Sequence, residues 1–313
     1  MRKLFIALLL ATNAPVSQSI AAIHQTSVEP SASAKTKVAA AQKKLRAAIL
    51  SNDVAARVGL YRRDARSMPE YQPALYSRAQ IAAYHAAMKG RLAMTRFDPV
   101  TSELFDFGNA ILEFGTFSAG WTTVGKAEEQ RGKYANLWGV EPDGSLLLKA
   151  DVWGYFEDLP DRKIFFVPMA EAAPPLLPAS VDPKLADTIA RLDQADARAV
   201  RTRDLEAKLA LLAEDAIIMP FADTPKRGMA EIRPYLTEYT ARGAGVDFDD
   251  VRVWNAGFEQ FGDYVVIFSK FHVDWRFSGN KGITKGGGLH LLRREPDGSL
   301  KRIRQIGTHD HVE

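Results

Sequence analysis

The sequence predicts an α+β protein of two cone-shaped domains in tandem, each with three N-terminal helices packed in a curved antiparallel sheet. Three observations predict it. The chain repeats itself at a nearly constant offset, each copy opens with apolar residues at helical spacing and closes with strand-like runs, and both copies carry the same Asp-Gly turn.

The N-terminus comes first. Met1-Arg2-Lys3, the apolar run Leu4 to Ala11 and the small-residue site Ser19-Ile20-Ala21 follow the order of a secretory signal peptide, expected over residues 1–21. The run is too short to cross a bilayer. Residues 22–36, rich in Ser, Ala, Thr and Pro, are expected to form a disordered tether.

The first copy spans 37–167. Lys37 to Leu50 carries Val38, Leu45 and Ile49 on one helical face; Asp53 then caps a stripe of Val54, Val58 and Tyr61 that runs on through Asp64-Ala65 and Met68-Pro69. A third helix follows, marked by Ile81, Tyr84 and Met88. Strands come after it, from Phe105 to Phe117 and around the turn Glu141-Pro142-Asp143-Gly144-Ser145-Leu146. Residues 168–180, with Pro174-Pro175 and Pro178, read as a linker.

The second copy, 181–313, says the same again. Leu185, Ile189 and Leu192 mark its first helix, Asp204 precedes Leu205, Leu209 and Leu212, then come Asp215-Ala216 and Met219-Pro220, and Ile232, Tyr235 and Tyr239 mark the third helix. Pro234 is expected to kink or shorten that helix. Gln260 to Phe271 answers Phe105 to Phe117. The turn recurs without change as Glu295-Pro296-Asp297-Gly298-Ser299-Leu300; Asp-Gly between apolar runs marks a hairpin because the turn needs positive φ.

Bulk properties narrow the function. With 46% hydrophobic and 25% charged residues, 313 residues suffice for two buried cores. The net charge of +3 includes Arg2 and Lys3, so the remainder is near balance and lacks the field that gathers nucleic acid or anionic lipid. After signal cleavage no stretch approaches a membrane helix. The absence of cysteine rules out thiolate metal sites and a thiol nucleophile and suits an oxidising compartment, so export to the periplasm or the medium is expected.

The helix-helix-helix-sheet order resembles the NTF2-like superfamily. The phrases Leu211 to Pro220 and Arg227-Gly228-Met229-Ala230-Glu231-Ile232, with the Asp-Gly turn before the final strand, look like its SnoaL-like and DUF4440 branches. The resemblance implies a cavity inside each cone. It also implies pairing of such domains through their sheets, here as an intramolecular pseudo-dimer. In ketosteroid isomerase of this superfamily a proton-shuttling Asp stands before a Pro; Met68 before Pro69 and Met219 before Pro220 occupy those positions here, and neither moves a proton.

Candidate site residues follow from strand alternation. His272 and Asp274 share a face with Arg276, an acid–base pairing that resembles polyketide cyclases of the SnoaL type; alternatively Val273, Trp275 and Phe277 face the core and the charged trio faces solvent. On the final strands Asp151 and Trp153 fit the family pattern, whereas Gln305 and Gly307 replace them in the second copy, and Tyr155 answers to His309. Tyr134, Asn136 and Trp138 share one face, and Phe105 and Phe107 another, as the wall of a ligand cup. The pair His309 and His311 lacks a third and fourth ligand, so no metal is expected, and no cofactor motif is present. Gly286-Gly287-Gly288 reads as close backbone approach on a strand rather than a phosphate loop. Two functions compete: binding of a small apolar ligand or a protein partner, with Tyr134, Asn136, Trp138, Trp153, Gln305 and His309 as contacts, or a lyase, isomerase or cyclase using His272, Asp274 or Asp151.

Overall fold

The computed structural model describes residues 29–123, 125–170, 173–174 and 182–311. The expected signal peptide, residues 22–28 of the tether and much of the 168–180 linker lie outside these.

In the first half, α1 (Ala32–Leu50) begins inside the segment expected to be a tether. Ser31 Oγ accepts from the Ala34 amide at 3.0 Å, and Ala34 and Val38 are buried, so a capped helix with an apolar face wins over the low-complexity composition. The short α2 (Val54–Gly59) is capped by Asp53, as the sequence implied. It is followed by β1 (Tyr61–Pro69), then α3 (Arg78–Lys89) and the strands β2 (Ala93–Asp106), β3 (Ala110–Thr123), β4 (Lys126–Val140) and β5 (Leu146–Tyr155).

The second half repeats this with α4 (Pro183–Thr202), α5 (Leu205–Leu209), β6 (Leu212–Met219), a two-residue β7 (Lys226–Arg227), α6 (Gly228–Arg242), β8 (Asp247–Phe261), β9 (Tyr264–Phe277), β10 (Asn280–Arg294) and β11 (Leu300–His309). Helix α6 runs through Pro234 for its full fifteen residues, so the proline does not shorten it. The sheets have the orders β1-β5-β4-β3-β2 and β7-β6-β11-β10-β9-β8.

One element of each half departs from expectation. The residues after α2 and α5 form strands, β1 and β6, which pair parallel to β5 and β11, so the sheets are mixed and the third helix follows a strand. A spacing of four residues is shared by a helical turn and two strand repeats, so Tyr61 and Ala65 bury equally well in either. The duplicated turn is as expected: Gly144 and Gly298 adopt φ of 79° and 84°.

Each sheet has an inner face against its helices and an outer face against the other half. The inner core of the first half joins Val38, Leu45, Ile49, Ile81, Tyr84 and Met88 of the helices to Ile111, Phe117, Trp138 and Leu148. The outer faces meet in a single apolar layer that includes Leu112, Phe114, Leu137 and Val152 from one sheet and Val266, Phe268, Leu289 and Ile306 from the other. Phe107 stacks on Phe261 at 4.4 Å, the Arg66 guanidinium lies 3.9 Å over the Phe268 ring, and Arg304 holds Glu103 through two contacts of 2.6 and 2.7 Å. The same bulge on β5 and β11 turns Lys149 and Ile303 toward this layer, and Lys149 pairs there with Glu259. Phe105 and Phe107 belong to this layer too, not to a cup as read from the sequence.

Candidate functional site in the first half

Between the inner face of the first sheet and helices α1 to α3 lies a cavity of about 120 Å³, lined by residues from all these elements. That is near the roughly 150 Å³ of an apolar cavity that admits benzene. Its walls are mostly apolar: Leu45, Ile49, Met88, Leu92, Phe97 and Phe117 contribute carbon surface.

Against this background six polar atoms stand out. Gln42 Oε1, Arg57 Nε, Tyr84 Oη, His85 Nε2, Asp151 Oδ1 and Trp153 Nε1 are buried, belong to residues that line the cavity and have no hydrogen-bond partner among the described residues. Buried polar groups are ordinarily satisfied, and each orphan costs on the order of 1–3 kcal/mol, so six around one hollow mark it as built to receive something polar. Tyr84 and His85 come from α3, whose buried face carries Ile81, Tyr84, His85 and Met88. Asp151 and Trp153 come from β5.

The electrostatics favour neutral forms. Burial pushes the Asp151 carboxyl above its ordinary range, offset in part by neighbouring Ser67, Arg57 and Tyr61; its Oδ2 accepts from the Tyr61 hydroxyl at 3.0 Å. Burial, aided by the Arg57 charge, holds His85 well below the usual imidazole range, so the ring is neutral near pH 7. A buried carboxyl anchored by Tyr61 on the wall of a mostly apolar hollow can give or take a proton, with a neutral imidazole on the same wall.

Tyr134, Asn136 and Trp138 share one strand face as the alternation implied, but they meet a carboxylate. Glu113, fully buried on β3, accepts from Gln42, Thr101, Tyr134, Asn136 and Trp138 at 2.6 to 3.3 Å. This node braces α1, β2, β3 and β4, and three of its members, Gln42, Tyr134 and Asn136, also line the hollow.

The remaining candidates, His272, Asp274, Gln305 and His309, lie in the second half. Val265 and Ile267 pack on α4 while Val266 and Phe268 face the first half, so strand alternation puts His272, Asp274 and Arg276 on the outer face. There His272 Nε2 bonds Asp274 Oδ1 at 2.9 Å and Arg276 pairs with Asp249. The arrangement with Val273, Trp275 and Phe277 on the inner side is the one found. Gln305 and His309 are on the inner face of β11; His309 stacks on Phe221 at 4.0 Å, and burial lowers its pKa to about 4. Asp310 pairs with Lys270 and His311 packs on Phe166. Met68 and Met219 sit in the layer between halves, away from the cavity.

Inside the second half, paired charged side chains occupy the corresponding inner face. Asp196 pairs with Lys208 and, at 2.7 Å, with Arg302, and these charges outweigh burial to hold its carboxyl well below the usual range. Beside them burial raises Asp193 to about 6 and keeps His290 neutral. The sequence reading missed this cluster, and also Glu113, His85, Tyr61 and Arg57. A lone charge within an apolar strand, as in Ile111-Leu112-Glu113-Phe114, was the available signal.

No family model and no curated protein matches the chain. Among solved structures, a ketosteroid isomerase-like protein from Erwinia carotovora atroseptica aligns at 18% identity over 42% of this chain and 100% of its own, with a TM-score of 0.37. ActVI-ORFA from Streptomyces coelicolor aligns at 18% identity over 41% of this chain and 99% of its own (TM-score 0.36). A Nostoc punctiforme protein of unknown function with a cystatin-like fold gives 21% identity, 41% and 90% coverage and a TM-score of 0.33. Each of these alignments spans about two-fifths of this chain.

Proposed function

We propose that the first half is a small-molecule binding unit whose cavity takes a compound with an apolar body about the size of one ring and a polar group, oriented by Asp151, Tyr84, His85 and Trp153. The observation that carries this is the set of six orphaned polar atoms around one hollow of about 120 Å³. On this reading residues 37–167 and 181–313 are two domains of the SnoaL-like, DUF4440 kind in an exported protein, and the second domain is a covalently attached partner covering the outer face of the first sheet, an intramolecular pseudo-dimer. The experiment is a panel of one-ring compounds scored by thermal shift and native mass spectrometry on the wild type and on Ala48→Phe, which fills the cavity. Retention by the wild type and loss in the variant are expected; equal behaviour of the two would sink the idea.

A second reading, an isomerase, lyase or cyclase, is favoured by the raised Asp151 carboxyl with one free oxygen. Its acid–base group is then Asp151, with His85 beside it, rather than the His272 and Asp274 pair. Solvent deuterium uptake next to the carbonyl of a cyclic ketone, catalysed by the wild type and lost in Asp151→Asn, would support catalysis. Uptake no faster than in buffer would leave binding alone.

A further inference from the structure

The two halves supply each other's control experiment. Counting from the capping residues Asp53 and Asp204, Arg57 and Lys208 hold the same position in their helices, and Leu45 and Asp196 hold the same position one helix earlier. The preceding residues, Asn52 and Arg203, share the same unusual backbone, with φ of 53° and 54°, so the alignment is structural as well as sequential. In the second half the cation is neutralised internally, because Lys208 pairs with Asp196. In the first half Leu45 stands where Asp196 would be, and no carboxylate lies within 4.0 Å of Arg57 among the described residues.

Arg57 nonetheless lines the cavity. Its guanidinium reaches the Tyr61 hydroxyl, but its Nε is buried without a hydrogen-bond partner among the described residues, and its charge acts on Tyr61, Tyr84, His85 and Asp151 around the hollow. Two carboxylates are near, and each has another partner: Asp53 caps its own helix at the Ala56 amide, 2.9 Å away, and Asp151 holds the Tyr61 hydroxyl. A guanidinium is a poor choice for an apolar wall unless an anion meets it, since its planar fork matches a carboxylate in two-point contact.

Resting on the small-molecule reading above, we infer that the ligand of the first cavity is an anion, a one-ring compound bearing a carboxylate that Arg57 receives while the ring lies among Phe97, Phe117 and Met88. The second half has lost this site by supplying Asp196 as a built-in anion.

The test is fluorine NMR of the full chain with 4-fluorobenzoate and its neutral counterpart 4-fluorobenzamide at pH 7. The wild type is expected to bind the benzoate about ten- to a hundredfold more tightly, the size of a charge-assisted hydrogen bond. Arg57→Gln is expected to remove that preference by weakening the benzoate and leaving the benzamide unchanged. Leu45→Asp, which keeps Arg57 but grafts the second half's internal anion, is expected to do the same and guards against a fold defect in the first variant; circular dichroism checks both. Equal affinity for the two probes in the wild type, or a benzoate preference that survives both substitutions, overturns the assignment of Arg57 while the cavity reading stands. Binding of neither probe overturns the cavity reading itself and this inference with it.

Discussion

Gln42 Nε2 stands 3.0 and 2.9 Å from the two carboxylate oxygens of Glu113, tying the first helix to the third strand across 71 residues of chain. Three more side chains of the sheet and Thr101 donate to the same carboxylate, so one polar node joins α1, β2, β3 and β4 within an apolar core. Such nodes are worth most when complete.

Removing its centre strands five donors at once. Glu113→Leu is expected to lower stability by about 3–5 kcal/mol, the cost of breaking a buried charged network. Glu113→Gln, which keeps the volume but turns one acceptor into a donor, should fall between it and the wild type. Urea unfolding gives the comparison; a loss below about 1 kcal/mol for the leucine variant would mean the node contributes little.

The second cone predicts a pH dependence. Asp193 has an ordinary pKa of 3.8 raised to about 6 by burial, so the native state binds its proton more tightly than the unfolded chain does. That contribution is complete below about pH 4 and is lost as pH rises through 6. Asp193→Asn does not titrate, so it should gain on the wild type across this window, by at most about 3 kcal/mol, and keep a constant lead above it. Melting temperatures of both proteins from pH 4 to 8 check this; a difference that is flat with pH would contradict it.

The shared layer between sheets predicts one cooperative unit. Phe268, at 2% exposure, packs against the first half and carries the Arg66 guanidinium on its ring. Phe268→Ala is expected to cost about 3–5 kcal/mol and to shift a single calorimetric transition. Two transitions, with only one displaced, would show that the halves unfold independently.

Sequence patterns revealed the fold through its repeats. Capping Asp53 and Asp204, the buried helical faces and the twin turns at Gly144 and Gly298 are all local signals, each set by a few neighbouring residues. What stayed hidden depends on partners distant in the chain. β1 and β6 looked helical because Tyr61 and Ala65 fit both periods, and only pairing with β5 decides between them. Tyr134, Asn136 and Trp138 were correctly placed on one face, yet nothing local shows that Glu113 waits opposite. His272 and Asp274 are adjacent on their strand face, but which face turns inward is decided by α4 and by the other half. Asp151 was named from its place on the last strand; Arg57, on a short helix among small and apolar residues, carries no local sign of the cavity beside it.

The most direct test of the cavity as a ligand site is a crystal structure of the full chain soaked with 3-bromophenol, read by the anomalous signal of bromine. One strong bromine peak is expected inside the first half's cavity, with the phenol hydroxyl within hydrogen-bond distance of Asp151 Oδ1, Tyr84 Oη or His85 Nε2. A hollow closed by Phe97 and its neighbours, with bromine absent from it, would rule the cavity out as a ligand site.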